Sequence, residues 1–213
     1  EWESGTKKVN LAELYTSESC SSCPPAEKWL NGLKNESALY KKIVPVEYHV
    51  DYWNYLSWTD KHSDNSYTRR QRSFAQKRGT SVFTPQILHN GRTDLRYSAN
   101  YPLKQNENAP SLKINLDQEK GVVNLSTDYS KKFICEASTT KGGFVSKVKA
   151  GENSGKTLRH EFVVQELQTV LSNNKKCRFN FKNLKSEKNK GIAIWIRSPE
   201  TFEVIQATGY RLN

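Results

Sequence analysis

Two cysteines three positions apart, Cys20 and Cys23, are the residues whose spacing most directly suggests chemistry. They lie in the stretch ESCSSCPPAEKWL, before two prolines and a run that favours a helix. Proline is tolerated only in the first turn of a helix, so the prolines place the helix start beside the cysteines. A helix N-terminus presents free N–H groups and partial positive charge, which stabilise a thiolate. The pair therefore predicts a redox centre in which Cys20 attacks and Cys23 resolves the mixed disulfide.

Two other uses of the cysteine pair stay open, a metal site and a structural disulfide. A zinc site usually combines two cysteine pairs, or one cysteine pair with a histidine pair, and the sequence has no second CxxC and no close histidine pair. Copper is the metal alternative, with Cys20, Cys23 and His49 as ligands and with His62 or His89 as further candidates. The protein would then be a binding module rather than an enzyme. A structural bond between residues this close constrains the unfolded chain little.

The segments around the cysteines predict a strand, a helix and a second strand. KKVNLAELYTS has the apolar pattern of a buried strand, PPAEKWLNGLKNESALY has helical spacing, and KIVPVEYHVDY indicates another strand. This order and these lengths predict a βαβ unit with parallel strands. SYTRRQRSFAQKRGT then predicts a helix that ends at Gly79, with its arginines on a solvated face. SVFTPQILHNGR predicts a third strand, whose turn at Asn90-Gly91 leads to a hairpin partner near TDLRY.

From Ser111 onward the pattern changes to about seven short strands separated by turn residues, which is typical of a β-sandwich. The stretch HEFVVQELQTVL is the exception, because its apolar spacing also permits a helix. The predicted fold class is therefore an α/β N-terminal domain over residues 1–108, followed by a mostly-β, sandwich-like domain over residues 109–213.

Composition limits the possible partners. The net charge is +11, but the lysines are spread over strands and loops rather than massed on one element, so we do not expect a nucleic-acid partner. No stretch approaches the ~20 apolar residues of a membrane span, so no transmembrane segment is expected. The sequence contains no methionine, and we therefore expect that an upstream segment has been removed, by cloning or by signal cleavage.

Five blocks of sequence, in order, resemble one known family. They are AELYTSESCSSCPPAEKWL, HVDYWNYLSW, YTRRQRSFA, FTPQILHNGR and GENSGKTLRHEFVVQEL. Together they are similar to the secreted, thioredoxin-like family called domain of unknown function 1223. The resemblance covers most of the chain and implies a thioredoxin-like first domain, a β-rich extension and a secreted or periplasmic location. It implies no substrate.

A thioredoxin-type fold also suggests roles for residues outside the pair. Thr84-Pro85 precedes a strand where such a fold has a cis-proline opposite the cysteines, and its backbone would then bind an extended substrate. Glu13 lies in the strand before the pair, where thioredoxins have a buried acid that exchanges protons with the resolving sulfur. The alternative for Glu13 is an outward-facing, solvated carboxylate.

The aromatic stretch HVDYWNYLSW is expected near the active-site edge. Asp51, Tyr52, Trp53 and Trp58 are candidates for a groove that binds an extended peptide near the sulfurs. The alternative is a small aromatic core that anchors this irregular segment, since aromatic side chains bury a large area.

Cys135 and Cys177 fall in separate predicted strands, and an exported protein would allow them to pair. Closing a loop of about 43 residues would stabilise the fold by roughly 4 kcal/mol on the chain-entropy estimate. Two buried free thiols, or a relay that exchanges with the first pair, are the alternatives.

The predicted function is that of an exported thiol-disulfide oxidoreductase that acts on protein or peptide thiols through Cys20 and Cys23. A redox-active disulfide needs no further cofactor. The spacing determines neither the direction of electron flow nor the oligomeric state, since couples of this kind span about −270 to −120 mV.

Overall fold

The computed structural model describes residues 1–94 and 107–212. Fourteen strands and two α-helices lie in these residues. The strands are β1 (Trp2–Glu3), β2 (Asn10–Thr16), β3 (Ile43–His49), β4 (Gln86–His89), β5 (Arg92–Asp94), β6 (Leu112–Asp117), β7 (Val122–Thr127), β8 (Phe133–Lys141), β9 (Phe144–Lys147), β10 (Thr157–His160), β11 (Val163–Ser172), β12 (Lys176–Asn180), β13 (Lys190–Arg197) and β14 (Val204–Arg211). The helices are α1 (Pro24–Gly32), which continues into a 3-10 turn at Leu33–Asn35, and α2 (Asn65–Arg78).

One eight-stranded sheet runs through both halves of the chain, in the order β14-β13-β8-β11-β3-β2-β4-β5. β2 and β3 pair in parallel, as the predicted βαβ unit requires, and β4 and β5 form the predicted hairpin at Asn90-Gly91. The joint between the halves is a second parallel pair, in which Val163 of β11 lies opposite Glu47 of β3. The N-terminal strands therefore share their sheet with strands of the C-terminal half.

The predicted fold class is wrong. Of the described residues, 43% lie in strands and 13% in helices, and the strands form more than one sheet. The protein is therefore mostly β, and the N-terminal half is not an α/β thioredoxin-like domain. The physical reason is the open edge of β3, which is covered by β11 rather than by another helix-linked strand. The ambiguous stretch HEFVVQELQTVL supplies that strand, with a bulge between Val164 and Glu166.

The two helices pack on opposite faces of the eight-stranded sheet. Side chains alternate along a strand, so Ala12 and Leu14 of β2 contact Ala26 and Leu30 of α1. On the other face, the neighbouring β2 side chains Leu11 and Tyr15 pack with α2 residues such as Phe74. The alternation along β2 therefore decides which helix each of its side chains meets.

A second core lies between the eight-stranded sheet and a four-stranded sheet of order β1-β6-β7-β12. Ile114, Leu125 and Phe179 of the smaller sheet pack with Phe133 and Ile194 of the larger one. β9 and β10 form a separate two-stranded hairpin. The hairpin docks on α1 through Asn31, whose side-chain amide donates to the carbonyl of Arg159 at 2.7 Å and accepts from the N–H of Glu161 at 3.0 Å.

Residues 95–106 are outside the described part of the chain, so the predicted hairpin partner TDLRY is described only as far as Asp94. Within the described residues, neither α-helix has the length and apolar character needed to cross a bilayer.

Candidate functional site at the Cys20–Cys23 pair

Cys20 and Cys23 are joined in a disulfide, with their Cα atoms 5.4 Å apart. β2 ends at Thr16, and a short loop carries Cys20 to Cys23, which is the N-cap of α1 with prolines in the first turn. Cys20 is 5% exposed and Cys23 is fully buried, whereas Ser21 and Ser22 between them are exposed. Solvent therefore reaches the bond from the side of Cys20 and the two serines.

The loop that carries Cys20 is held by the turn between β9 and β10. The buried Asn153 side chain donates two hydrogen bonds of 2.9 Å, to the carbonyls of Glu18 and Cys20. Lys156 in turn donates to the Asn153 side-chain oxygen at 2.8 Å, which orients the amide. The N–H of Ser21 donates to the carboxylate of Glu152 at 3.2 Å. The C-terminal half thus fixes the backbone on which the disulfide sits.

Thr84-Pro85 lies at the same end of the sheet as the disulfide. β4 pairs antiparallel with β2 so that Gln86 lies opposite Tyr15, which puts Pro85 beside the end of β2, just before the cysteine loop. The Thr84-Pro85 bond is cis, as predicted. The Trp53 indole N–H donates to the Thr84 hydroxyl at 2.8 Å.

The aromatic segment connects the Pro85 loop, the cysteine loop and α2. Trp58 donates its indole N–H to the Glu18 carboxylate at 2.7 Å, while Trp53 reaches Thr84. Asp51 accepts hydrogen bonds from Thr68 and Asn65 of α2, and the Tyr52 hydroxyl donates to Gln71 at 3.1 Å. All four candidate groove residues are partly buried. Each of them has a structural partner, and a role in peptide binding stays a prediction.

Glu13 is not behind the cysteine pair. It points to the α2 face of the sheet, opposite to α1, and its carboxylate pairs with Arg70 at 2.7 Å and with Arg197 at 3.1 Å. Glu136 completes this buried cluster by pairing with both arginines and by accepting from the Trp195 indole at 2.6 Å. Arg70, expected on a solvated face, is therefore mostly buried, and this placement gives no support to proton exchange between Glu13 and Cys23.

Glu27, one turn into α1, is the buried acid that lies next to the cysteine loop. Its N–H donates to the Cys23 carbonyl at 3.2 Å, and its carboxylate accepts from the Thr16 hydroxyl at 2.6 Å. Burial and the neighbouring Glu47 carboxylate raise the pKa of Glu27 to about 7. Glu27 was not predicted from the sequence, although a glutamate in the first turn of a helix that begins with prolines could have indicated it.

Behind the loop lies a chain of alternating buried carboxylates and imidazoles, which we call the histidine–carboxylate cluster. Its five members, in spatial order, are Asp60, His49, Glu47, His160 and Glu18. His49 Nδ1 is 2.6 Å from an Asp60 oxygen, and its Nε2 is 2.7 Å from Glu47 Oε1. His160 Nδ1 is 3.2 Å from the same Glu47 oxygen, and its Nε2 is 3.2 Å from Glu18 Oε1. All five residues are essentially inaccessible to solvent.

The charges of the cluster stabilise one another against burial. Burial disfavours the charged imidazole of His49, but the Asp60 and Glu47 carboxylates outweigh it and hold the His49 pKa well above its usual range. The same competition, with Glu18 and Glu47 as partners, raises the pKa of His160 to about 9. Burial would raise the pKa of Asp60, yet the His49 charge lowers it to about 2.

His62 borders the cluster without joining the chain of bonds. Its ring centre is 5.3 Å from that of His49, and it packs on Phe144 of β9 at 4.5 Å. Burial and the positive charge of His49 lower the pKa of His62 to about 4. Three of the four histidines of the sequence therefore meet here.

Sequence analysis singled out only His49 among the five cluster members. Glu47 and His49 are two apart in a strand that is buried on both faces, so they point the same way, and an acid and a histidine with that spacing were a readable signal. His160 comes from β10, and nothing local in LRHE indicates that it meets β3.

Cys135 and Cys177 are bonded to each other across the second core. Cys135 lies in β8 of the eight-stranded sheet and Cys177 in β12 of the four-stranded sheet, and both are buried. The bond therefore ties the two sheets together. Because all four cysteines are in disulfides, the sulfurs of Cys20 and Cys23 are not thiolate ligands in this form.

Comparison with known families matches residues 11–197 to the family described as "Protein of unknown function (DUF1223)". The chain belongs to this family. The matched range contains the cysteine pair, Pro85, Asn153 and every member of the histidine–carboxylate cluster, so this DUF1223 chain carries the whole site within the family region.

Two solved structures are similar to this DUF1223 protein. Protein AGR_C_4864 of Agrobacterium tumefaciens is 20% identical, with a TM-score of 0.69 over 98% of this chain and 97% of the other. HBP35 of Porphyromonas gingivalis is 16% identical, with a TM-score of 0.65 over 97% of this chain and 76% of the other. At these identities the likeness concerns the fold alone. No curated protein matched the sequence.

Proposed function

We propose that the protein is an exported thiol-disulfide oxidoreductase that acts on protein or peptide thiols through Cys20 and Cys23. The observation that carries the proposal is the position of the disulfide at the N-terminus of α1, where Cys23 is fully buried and Cys20 is 5% exposed next to the exposed Ser21 and Ser22. The free N–H groups and the partial positive charge of a helix N-terminus stabilise a thiolate on the attacking sulfur.

The disulfide form accepts two electrons from a substrate dithiol. A substrate thiolate attacks the Cys20 sulfur, forms a mixed disulfide and displaces the Cys23 thiolate, which takes up a proton. The second thiolate of the substrate then attacks the substrate sulfur that is bonded to Cys20. This step closes the substrate disulfide and releases Cys20 as a thiolate. The substrate leaves oxidised and the pair is reduced, and the reverse sequence reduces a substrate disulfide.

Two further features support this proposal. Thr84-Pro85 lies beside the end of β2 at the same end of the sheet as the disulfide, where its backbone would meet a peptide bound across Cys20. Two disulfides in one chain fit an oxidising compartment, which supports the proposed secreted or periplasmic location.

Trapping and thiol titration test the function. Cys23→Ser should accumulate a mixed disulfide between Cys20 and a substrate protein with scrambled disulfides, whereas Cys20→Ser should accumulate much less. In the reduced protein, alkylation followed by mass measurement should show Cys20 reacting first, with a pKa below the ~8.5 of an ordinary thiol. The matched control is Cys135→Ala/Cys177→Ala, which should keep the activity. A Cys20 thiol of ordinary reactivity and no trapped species would refute the proposal.

A further inference from the structure

The histidine–carboxylate cluster contains three potential metal ligands that disulfide exchange does not use. Glu47, His49 and His160 each direct one ligand atom toward the others, and these atoms lie within 4.8 Å of one another. All three side chains are fully buried. β3 supplies two of them and β10 the third, so the ligands come from rigid strands of both halves.

Each of the two histidines already has a carboxylate partner that would orient it as a metal ligand. Metal-bound histidines almost always direct their other ring nitrogen to a carboxylate, a carbonyl or water, which orients the ring. Here His49 Nδ1 is held by Asp60 at 2.6 Å and His160 Nε2 by Glu18 at 3.2 Å. Each imidazole therefore turns the opposite nitrogen, His49 Nε2 or His160 Nδ1, toward Glu47.

Buried polar atoms without full hydrogen bonding lie at the same place. Glu47 Oε2 is buried without a hydrogen-bond partner among the described residues, and His160 Nδ1 has the 3.2 Å ion pair with Glu47 Oε1 but no hydrogen bond of good geometry. Polar atoms without full hydrogen bonding in a buried site are costly, and a bound ion is one of the standard reasons for them. Glu27 Oε2 lies 3.9 Å from His160 Nδ1, which provides a fourth donor. Glu27 also lines a surface cavity of about 520 Å³ with Pro24 and Phe144.

We propose that Glu47, His49 and His160 bind one divalent transition-metal ion, with Glu27 as the fourth ligand. Two imidazoles with carboxylates suit Zn²⁺ and neighbouring first-row ions, whereas Mg²⁺ and Ca²⁺ prefer oxygen donors alone. This site contains no cysteine, so it is distinct from a copper site built on Cys20, Cys23 and His49. It is also independent of disulfide exchange, and either proposal can fail without the other.

The test uses the full chain with both disulfides formed and no reductant, so that no thiol can bind metal. The protein is unfolded with a chelator, refolded with Zn²⁺ or with Co²⁺, and freed of loose metal by gel filtration. We expect one equivalent of Zn²⁺ by elemental analysis, a visible Co²⁺ spectrum of a four-coordinate nitrogen and oxygen site, and no competition from Mg²⁺ or Ca²⁺. The thermal midpoint of the wild-type protein should rise with free Zn²⁺ concentration.

Variants separate the site from adventitious binding. Glu47→Gln and His160→Gln should weaken Zn²⁺ binding at least ~100-fold, and the outer variant Asp60→Asn should weaken it about 10- to 100-fold. His89→Gln, in β4, is the matched histidine control and should bind like wild type. If a ligand variant does not fold, the Co²⁺ spectrum of the wild-type protein and the rise of its thermal midpoint with Zn²⁺ still test the metal site. Less than a tenth of an equivalent after refolding with Zn²⁺, or equal binding by Glu47→Gln, His160→Gln and His89→Gln, would overturn the proposal.

Discussion

The hydrogen bonds of Asn153 to the cysteine loop give the most direct test of how the C-terminal half acts on the site. Asn153→Ala removes both donors, which leaves the Glu18 carbonyl unpaired among the described residues and the Cys20 carbonyl with only the N–H of Cys23 at 3.2 Å. A net hydrogen bond contributes about 0.5 to 1.5 kcal/mol, and an unpaired buried group costs about 1 to 3 kcal/mol. We therefore expect the closed loop to lose about 2 kcal/mol.

The lower stability of the closed loop should raise the rate at which the disulfide is reduced. Each 1.4 kcal/mol corresponds to a factor of ten, so loop opening in the variant should be favoured by about 30-fold. The assay is reduction of the Cys20–Cys23 disulfide by a small dithiol, followed by rapid alkylation and mass measurement. The reduction rate should rise by up to that factor in Asn153→Ala, and the free energy of unfolding in urea should fall by about 2 kcal/mol.

The matched control for Asn153→Ala is Ser154→Ala. Ser154 is the next residue in the same turn, is exposed and faces solvent, so both the reduction rate and the unfolding free energy should stay at wild-type values. If Asn153→Ala left both quantities unchanged as well, the hairpin would not restrain the loop. An equal change of the reduction rate in the two variants would likewise show that Asn153 does not restrain the loop.

Three further predictions concern the framework around the site. Glu136→Gln should lower the free energy of unfolding by about 3 to 5 kcal/mol in urea titration, because it leaves two buried arginines to share the single carboxylate of Glu13. Burial acts to raise the pKa of Glu136, but its arginine partners lower it from 4.5 to about 2. A carboxylate with a lowered pKa in the folded state stabilises the fold at any pH above its pKa in the unfolded state. About 3 kcal/mol of stability should therefore disappear as the pH falls from 4.5 toward 2. Cys135→Ala/Cys177→Ala should lower the unfolding free energy by roughly 4 kcal/mol. Trp53→Phe and Thr84→Val should each cost about 1 kcal/mol, and the double variant should cost clearly less than their sum of about 2 kcal/mol, because both changes remove the same hydrogen bond.

Each of these predictions has its own contradicting result. Acid titration of Glu136→Gln should be flatter than that of wild type between pH 4.5 and 2, and identical slopes would remove Glu136 from the explanation. The cysteine variant should leave the Cys20–Cys23 disulfide intact by mass, and unchanged stability would show that the long loop is already ordered in the unfolded state. Fully additive effects of Trp53→Phe and Thr84→Val would mean that their hydrogen bond contributes nothing.

Local features of the site were predictable because their signals are local. Pro24 and Pro25 directly follow the cysteines and define the helix start, and Thr84-Pro85 directly precedes β4. The face on which Glu13 lies was not predictable in the same way. In a strand buried on both sides, every position is a core position, and only the packed helices decide which face meets α1.

Contacts between distant segments could not be read from the pattern. Glu47 and His160 meet because β10 docks on α1 and because β11, which follows β10, pairs with β3. Apolar periodicity identifies a strand but not the strand with which it pairs. For β11 the pattern therefore predicted a strand of a separate sheet and also permitted a helix. The cluster and the eight-stranded sheet escaped prediction for this one reason.

The junction of β3 with β11 also bears on how family members can be recombined. Asn153 and His160, from the second half, reach the cysteine loop and Glu47 in the first half. A chimera that joins the first half of one relative to the second half of another would combine partners that have not been matched to each other. The two halves should therefore be inherited as a unit, and sequence changes at Glu47 should be accompanied by changes at His160 across relatives.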